Sequence, residues 1–293
     1  MHQKGDDMAS FKYDSTPTQY VEFRGTKFAF RKFGKESGVP LLLLIHFRGS
    51  MDNWDPKLLD ALAMDRTVIA FDNKGVASTN GLTQETYREM ADGAAEFIQA
   101  LGYTKIDVLG FSIGGHITQE LLFNHGDLIR KAILASTMPQ GGKGLTNSKP
   151  EVIALAIKPV IELTDFLTLF FEQSTASQKA GRAYIERRKV RTLDVEPATS
   201  VQTMQAQGKA RKAWAEMDES QGLANLRKVT QPVLVSNGSN DVMIPTAQSF
   251  SLYQNLPNAQ LILYPDSGHG FLFQYPELVA EHIGIFLDQS FKN

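Results

Sequence analysis

The chain has 293 residues, a formal net charge of −2 and no cysteine. Such a length holds one large domain, or a core with an inserted subdomain, and ample material for a buried interior. The near-neutral charge gives no footprint for nucleic acid or an anionic membrane surface, and the missing cysteines remove disulfides, a thiolate nucleophile and cysteine–zinc sites together.

Residues 1–10 are polar and mixed in charge, and a disordered lead-in is expected there rather than a signal peptide. Gln19 to Arg24 and Lys27 to Phe33, joined at Gly25-Thr26, predict a hairpin. Leu41 to Ile45 reads as a buried strand, far too short to cross a bilayer. A helix over Trp54 to Ala63, a strand over Thr67 to Phe71 and an amphipathic helix over Gln84 to Leu101 follow. Next come a strand at Ile106 to Leu109, a helix at Ile113 to Asn124 and a strand at Lys131 to Ala135. The alternation predicts an α/β fold with a doubly wound, mostly parallel sheet. From Met138 to Leu226 the pattern is helical, over Glu151 to Phe171, Ala176 to Val190 and Ala198 to Ala215, which reads as an inserted lid. Strands at Pro232 to Ser236 and Gln260 to Tyr264, with helices at Thr246 to Asn255 and Pro276 to Phe286, complete the core. The expected division is thus core over 11–137, lid over 138–226 and core again over 227–293.

The segment Gly110-Phe111-Ser112-Ile113-Gly114 stands between a strand and a helix and fits the G-x-S-x-G elbow. A serine on so tight a turn projects its Oγ out of the sheet. Glycines two residues to either side let the chain pass close to itself. The N–H groups of the next helix face the place where negative charge develops in acyl transfer. Ser112 is therefore the expected nucleophile, and the Ile113 N–H the first oxyanion donor.

An activated serine needs a base, and the base an orienting acid, in the chain order Ser, acid, His. Of six histidines, His269 alone follows the last strand directly, in Pro265-Asp266-Ser267-Gly268-His269-Gly270, on the sheet edge where Ser112 emerges. His2 lies in the lead-in; His116, His125 and His282 sit on or beside helices and read as structural or surface groups. Asp241 follows the preceding strand in Asn237-Gly238-Ser239-Asn240-Asp241 and is the expected acid. Asp266 is expected to shape the His269 loop, and Asp72 to order the Asn73-Lys74-Gly75 turn.

Together these motifs resemble the α/β-hydrolase superfamily from about Tyr20 to Phe291. The segments His46-Phe47-Arg48-Gly49, Asp52-Asn53-Trp54-Asp55-Pro56, Phe71 to Val76 and Gly268 to Pro276 look like a bacterial-type subgroup of esterase- or lactonase-like serine hydrolases. The resemblance implies an acyl-enzyme mechanism without metal or cofactor. The superfamily usually carries His-Gly-X after the third strand. A gapless fit puts Ile45 and His46 on the His-Gly pair and Phe47 on X, so the Phe47 N–H is the implied second oxyanion donor. A loop shifted by one residue would use Arg48 instead. His46, Arg48, Phe111, Met138 and Trp214 are expected at the substrate pocket. The apolar lid favours a small or medium, fairly hydrophobic ester or lactone, with no basic cradle for acidic substrates evident. Perhydrolase or haloperoxidase chemistry, C–C bond hydrolysis and a small-molecule receptor share the same constellation. A cytoplasmic protein without nucleic-acid or membrane partners is expected. The oligomeric state stays open, with a homodimer one option.

Overall fold

A computed structural model of the chain describes residues 12–144, 149–158 and 160–290. The expected lead-in over residues 1–10 lies outside the described residues. Strands β1 (Gln19–Phe23) and β2 (Thr26–Gly34) form an antiparallel hairpin. It turns at Arg24 and Gly25, with φ of 48° and 81°, one residue earlier than the sequence suggests. Two positive φ angles give a tight turn whose twist matches the strands it joins.

Then come β3 (Leu41–Leu44), α1 (Pro56–Ala63), β4 (Thr67–Phe71), α2 (Tyr87–Ala100), β5 (Ile106–Phe111), α3 (Ile113–Asn124) and β6 (Ile129–Ala135). Helices α4 (Pro150–Ala156), α5 (Leu163–Phe170), α6 (Thr175–Arg188), α7 (Val201–Glu216) and α8 (Glu219–Leu226) separate β6 from β7 (Val233–Gly238). The chain ends with α9 (Ala247–Asn255), β8 (Ala259–Tyr264), the single turn α10 (Phe271–Gln274) and α11 (Pro276–Asp288). The eight strands form one sheet in the order β1-β2-β4-β3-β5-β6-β7-β8. Only the β1–β2 and β2–β4 pairs are antiparallel.

The four leucines of β3 show why the central strands carry unbroken apolar runs. Leu41 and Leu43 join the core on one face of the sheet with Leu58 of α1 and Phe286 of α11. Leu42 and Leu44 join the core on the other face with Phe97 of α2 and Ile117 of α3. Helices cover both faces, so alternate residues are buried alike. Each such side chain stabilises the fold by roughly 1.5–3 kcal/mol.

Caps set the helix limits that periodicity blurred. Thr86 accepts the Glu89 N–H, so α2 begins at Tyr87 rather than Gln84. Ser200 accepts the Thr203 N–H, so α7 begins at Val201 rather than Ala198. The helix expected over Glu151 to Phe171 is two helices. A capping box between Glu162 and Asp165 starts α5 afresh, and Lys158 Nζ closes on Asp165 at 2.8 Å. The helix α8 was not expected; Asp218 accepts the Gln221 N–H at its start.

The segment after α6 is pinned to the core by buried charge. Arg31, fully buried on β2, meets Asp52 at 2.6 Å and Glu196 at 3.2 Å. The Glu196 N–H donates to Asp52 Oδ2 at 2.6 Å. Asp72, at the end of β4, does not order its own turn as the sequence suggested. Its Oδ1 reaches across to accept the Met51 N–H at 2.8 Å, while Asn73 Oδ1 holds the Lys74 N–H. Burial first, and the Glu196 carboxylate beside it second, hold the Asp72 carboxyl well above the ordinary carboxylate range. A proton on Asp72 lets the two groups share a hydrogen bond. The folded state thus binds this proton more tightly than the unfolded chain. Its contribution is fully present below the unfolded carboxylate value and is lost as pH rises through the folded one. Asp72→Asn keeps the acceptor and supplies a permanent donor. It is expected to raise the unfolding temperature at about pH 8 by more than at about pH 4. Thermal unfolding at both pH values checks this, and an equal shift would contradict it.

Candidate active site

The elbow is strained, and the local sequence makes the strain possible. Ser112, between β5 and α3, has φ 58° and ψ −118°. A residue held there costs of order 1–3 kcal/mol and needs support from its surroundings. The Ser112 N–H donates to Ala135 O at 2.9 Å, and the Ser112 carbonyl accepts the Gly115 N–H at 2.9 Å. A Cβ on Gly110 would stand 2.2 Å from Thr118 Oγ1, and one on Gly114 would stand 2.0 Å from Leu44 O. Both glycines are required by the crossing of β3, β5 and α3.

Beside the elbow, His46-Phe47-Arg48-Gly49 forms a turn closed by the Gly49 N–H on His46 O at 3.0 Å, with Arg48 at φ 60°. The Arg48 N–H is taken by Gln207 Oε1 of α7 at 2.8 Å. The N–H groups of Phe47 and Ile113 have no acceptor among the described residues. His46 Nδ1 lies 2.9 Å from Phe47 O; a carbonyl only accepts, which assigns the proton to Nδ1. Burial drives the His46 imidazole down to about 3, opposed by the Phe47 carbonyl and reinforced by Arg188, so the ring is neutral at any ordinary pH.

His269 is fully buried on the loop after β8. Its Nδ1 lies 2.7 Å from Asp241 Oδ2. Asp241 Oδ1 accepts the N–H groups of Met243 at 2.8 Å and Ile244 at 2.9 Å, which fixes the carboxylate. The His269 carbonyl accepts Ser136 Oγ at 2.9 Å, and Phe111 and Phe170 each stand 5.2 Å from its ring. His269 Nε2 is buried without a hydrogen-bond partner among the described residues, Ser112 included. Ser112 and His269 line one cavity, and catalytic hydrogen bonds often tighten only around substrate.

The other candidates fall elsewhere. Asp266 Oδ2 accepts Ser174 Oγ, just before α6, at 2.7 Å and does not reach the His269 ring. His125 meets Asp92 at 2.6 Å, and His282 meets the Tyr264 hydroxyl at 2.8 Å. His2 lies outside the described residues.

Two cavities diverge from Ser112. The larger, about 770 Å³, is lined by His46, Arg48, Phe166, Phe170 and His269 among others. The smaller, about 420 Å³, includes Phe47, Ile113, His116, Met138 and Arg211. Two residues expected at the pocket line neither. Phe111 is enclosed by His46, Trp54, His269 and Phe273. Trp214 packs on Tyr87 and His116 and donates its Nε1–H to Pro139 O at 3.0 Å. Both aromatic faces are used up by core packing. Among the apolar residues of the helical segment, sequence reasoning did not single out Phe170, whose carbonyl accepts the Gly270 N–H at 2.6 Å, and it missed Gln207 and Arg211. Their partners are distant in sequence, and no local motif marks them.

A family model described as alpha/beta hydrolase fold matches residues 40–276. The chain belongs to the α/β-hydrolase family. This α/β-hydrolase is similar to a solved alpha/beta hydrolase fold protein from Chitinophaga pinensis, at 41% identity and a TM-score of 0.89, covering 95% of this chain and 100% of that one. It is 29% identical to a poly(3-hydroxyalkanoate) depolymerase of Ectopseudomonas oleovorans, over 88% of this chain and 87% of the relative. It is also 28% identical to a pimeloyl-acyl-carrier-protein methyl ester esterase of Nitrosomonas europaea, over 68% and 77%. The α/β-hydrolase is thus an enzyme with esterase and depolymerase relatives. Among its described residues no helix is long and apolar enough to cross a membrane.

Proposed function

We propose that this α/β-hydrolase cleaves a small to medium, fairly hydrophobic carboxylic ester or lactone through an acyl-enzyme on Ser112. The observation that carries the reading is the 2.7 Å contact of His269 Nδ1 with Asp241 Oδ2, which leaves Nε2 for the serine that shares its cavity. His269 takes the Ser112 proton as Oγ attacks the carbonyl, then returns it to the leaving alcohol. Water repeats the sequence to release the acid. Asp241 keeps the imidazole in the required tautomer. The N–H groups of Phe47 and Ile113 receive the oxyanion, where each donor is worth roughly 10²–10³ in rate. Residues 138–226 act as the lid that shapes the apolar pocket. Relatives named as an esterase and a polyester depolymerase support ester chemistry.

A panel of aryl and alkyl esters, lactones and thioesters tests the proposal, with many turnovers per second on an ester or lactone as the expected result. The pH dependence supplies a sharper check. His269 works as a base only when neutral, so log kcat/KM is expected to rise with pH through one ionisation and then level. Burial holds both His46 and His116 down to about 3, so neither can produce this limb. An acid limb that survives in His269→Ala would assign the base elsewhere.

A further inference from the structure

We propose that the smaller of the two cavities at Ser112 is an anion subsite, in which Arg211 holds a carboxylate at the far end of the substrate. The proposal rests on the hydrolase reading of Ser112 and narrows its substrate class. The two cavities share Ser112, Phe47, Ala156 and Met243, so one bound molecule can extend into both from the reacting carbonyl. The smaller is walled by apolar side chains such as Met138 and Ile244, and among the described residues three charged ones line it: Arg211, Lys212 and Glu216. Lys212 and Glu216 face each other at 3.8 Å with side chains 75% and 65% exposed, so they form the rim and offset one another.

Arg211 differs. It is half-buried on α7, and its guanidinium stands 6.0 Å from the centre of the Phe47 ring, beside the turn that offers an oxyanion donor. No carboxylate lies within ion-pair reach of it among the described residues. Some arginines elsewhere in the fold have one, as Arg31 has Asp52 and Arg187 has Asp55, and Arg188 at the larger cavity is held instead by the Asp52 carbonyl at 2.8 Å. A guanidinium partly withdrawn from water against apolar walls, without a counter-charge, favours an anion brought by the ligand. Its planar fork matches a carboxylate in two parallel hydrogen bonds. His116 lines the same arm, buried, with neither ring nitrogen partnered among the described residues. Burial first, then His269 and after it Arg211, keep this ring neutral, so it offers one donor and one acceptor to a polar group. The larger cavity offers Phe166, Leu169 and Phe170 to the apolar remainder, and of the charged residues that also line it Asp52, Arg191 and Glu196 are taken up in ion pairs. The substrate is then an amphiphilic ester, apolar on one side of the reacting bond and acidic at the other end.

Two pairs of matched esters test this. The monophenyl ester of adipate beside phenyl hexanoate puts the carboxylate on the acyl side. The benzoyl ester of ω-hydroxyhexanoate beside hexyl benzoate puts it on the alcohol side. In at least one pair the wild type is expected to prefer the acidic member by on the order of tenfold in kcat/KM, expressed in KM and weakened by salt. Arg211→Met is expected to abolish that ratio and Arg211→Lys to keep part of it. A mere loosening of the Phe47 turn lowers both members alike, so an unchanged ratio in Arg211→Met overturns the proposal. Absence of any preference in both pairs overturns it equally. The neutral esters separately test the hydrolase reading. If none is turned over, calorimetric binding of the acidic esters decides: equal affinity for wild type and Arg211→Met rejects the subsite, and weaker binding by Arg211→Met upholds it.

Discussion

Ser112→Ala is expected to abolish ester hydrolysis almost completely, by on the order of 10⁴-fold or more in kcat. Alanine meets the same backbone strain at φ 58° as serine does and keeps the N–H bond to Ala135 O, so the elbow and the fold are retained. What disappears is the one atom able to form the acyl bond. The His269–Asp241 pair and the Phe47 and Ile113 N–H groups stay in place and supply only the residual rate of transition-state binding. Steady-state turnover beside an unchanged unfolding temperature reads this directly. A fluorophosphonate is expected to label the wild type at Ser112 and leave the variant unlabelled. Near-normal turnover in the variant, or label on another serine, would defeat the assignment.

Asp241→Asn is expected to cost about 10⁴-fold in kcat with the fold intact. The hydrogen bonds around Asp241 say why. Oδ1 accepts from Met243 and Ile244 at 2.8 and 2.9 Å, and only the oxygen of an asparagine can take over that position. The amide nitrogen must then face His269 Nδ1, which becomes an acceptor. The proton moves to Nε2, where the base needs a lone pair. Asp266→Asn has no such consequence, because an amide oxygen still accepts Ser174 Oγ. Its turnover is expected to stay far closer to wild type. Side-by-side kinetics of the two variants settle the matter, and the reverse ranking would mean that Asp266 is the functional acid.

Much of this site is legible in the sequence because it is written locally. Gly110 and Gly114 bracket Ser112 at the spacing the backbone crossing imposes, and steric contact with Leu44 O and Thr118 Oγ1 is its physical content. The doubly wound sheet is legible for the same reason, since unbroken runs such as Leu41 to Leu44 record burial on both faces. Chain order placed Asp241 and His269 on adjacent loops after β7 and β8. What escaped depends on partners far along the chain. Gln207 removes the Arg48 N–H from contention across 159 residues of separation. Phe111 and Trp214 have the composition of pocket residues, yet their packing partners claim them. Arg211 is one cation among several on a helix until the fold sets it beside Phe47. The break between α4 and α5 was missed because apolar periodicity runs on through it, whereas the Glu162–Asp165 capping box does not.

The loop that carries His269 is fastened to the helical segment as well as to the sheet: Gly270 donates to Phe170 O at 2.6 Å, and Asp266 holds Ser174. The protein is therefore not modular at the point where a protein engineer would wish it to be. Grafting a foreign helical segment between β6 and β7 to change specificity would also remove two supports from the His269 loop. A successful chimera would have to carry Phe170 and Ser174 across with their backbone geometry, or rebuild residues 266–270 to stand alone.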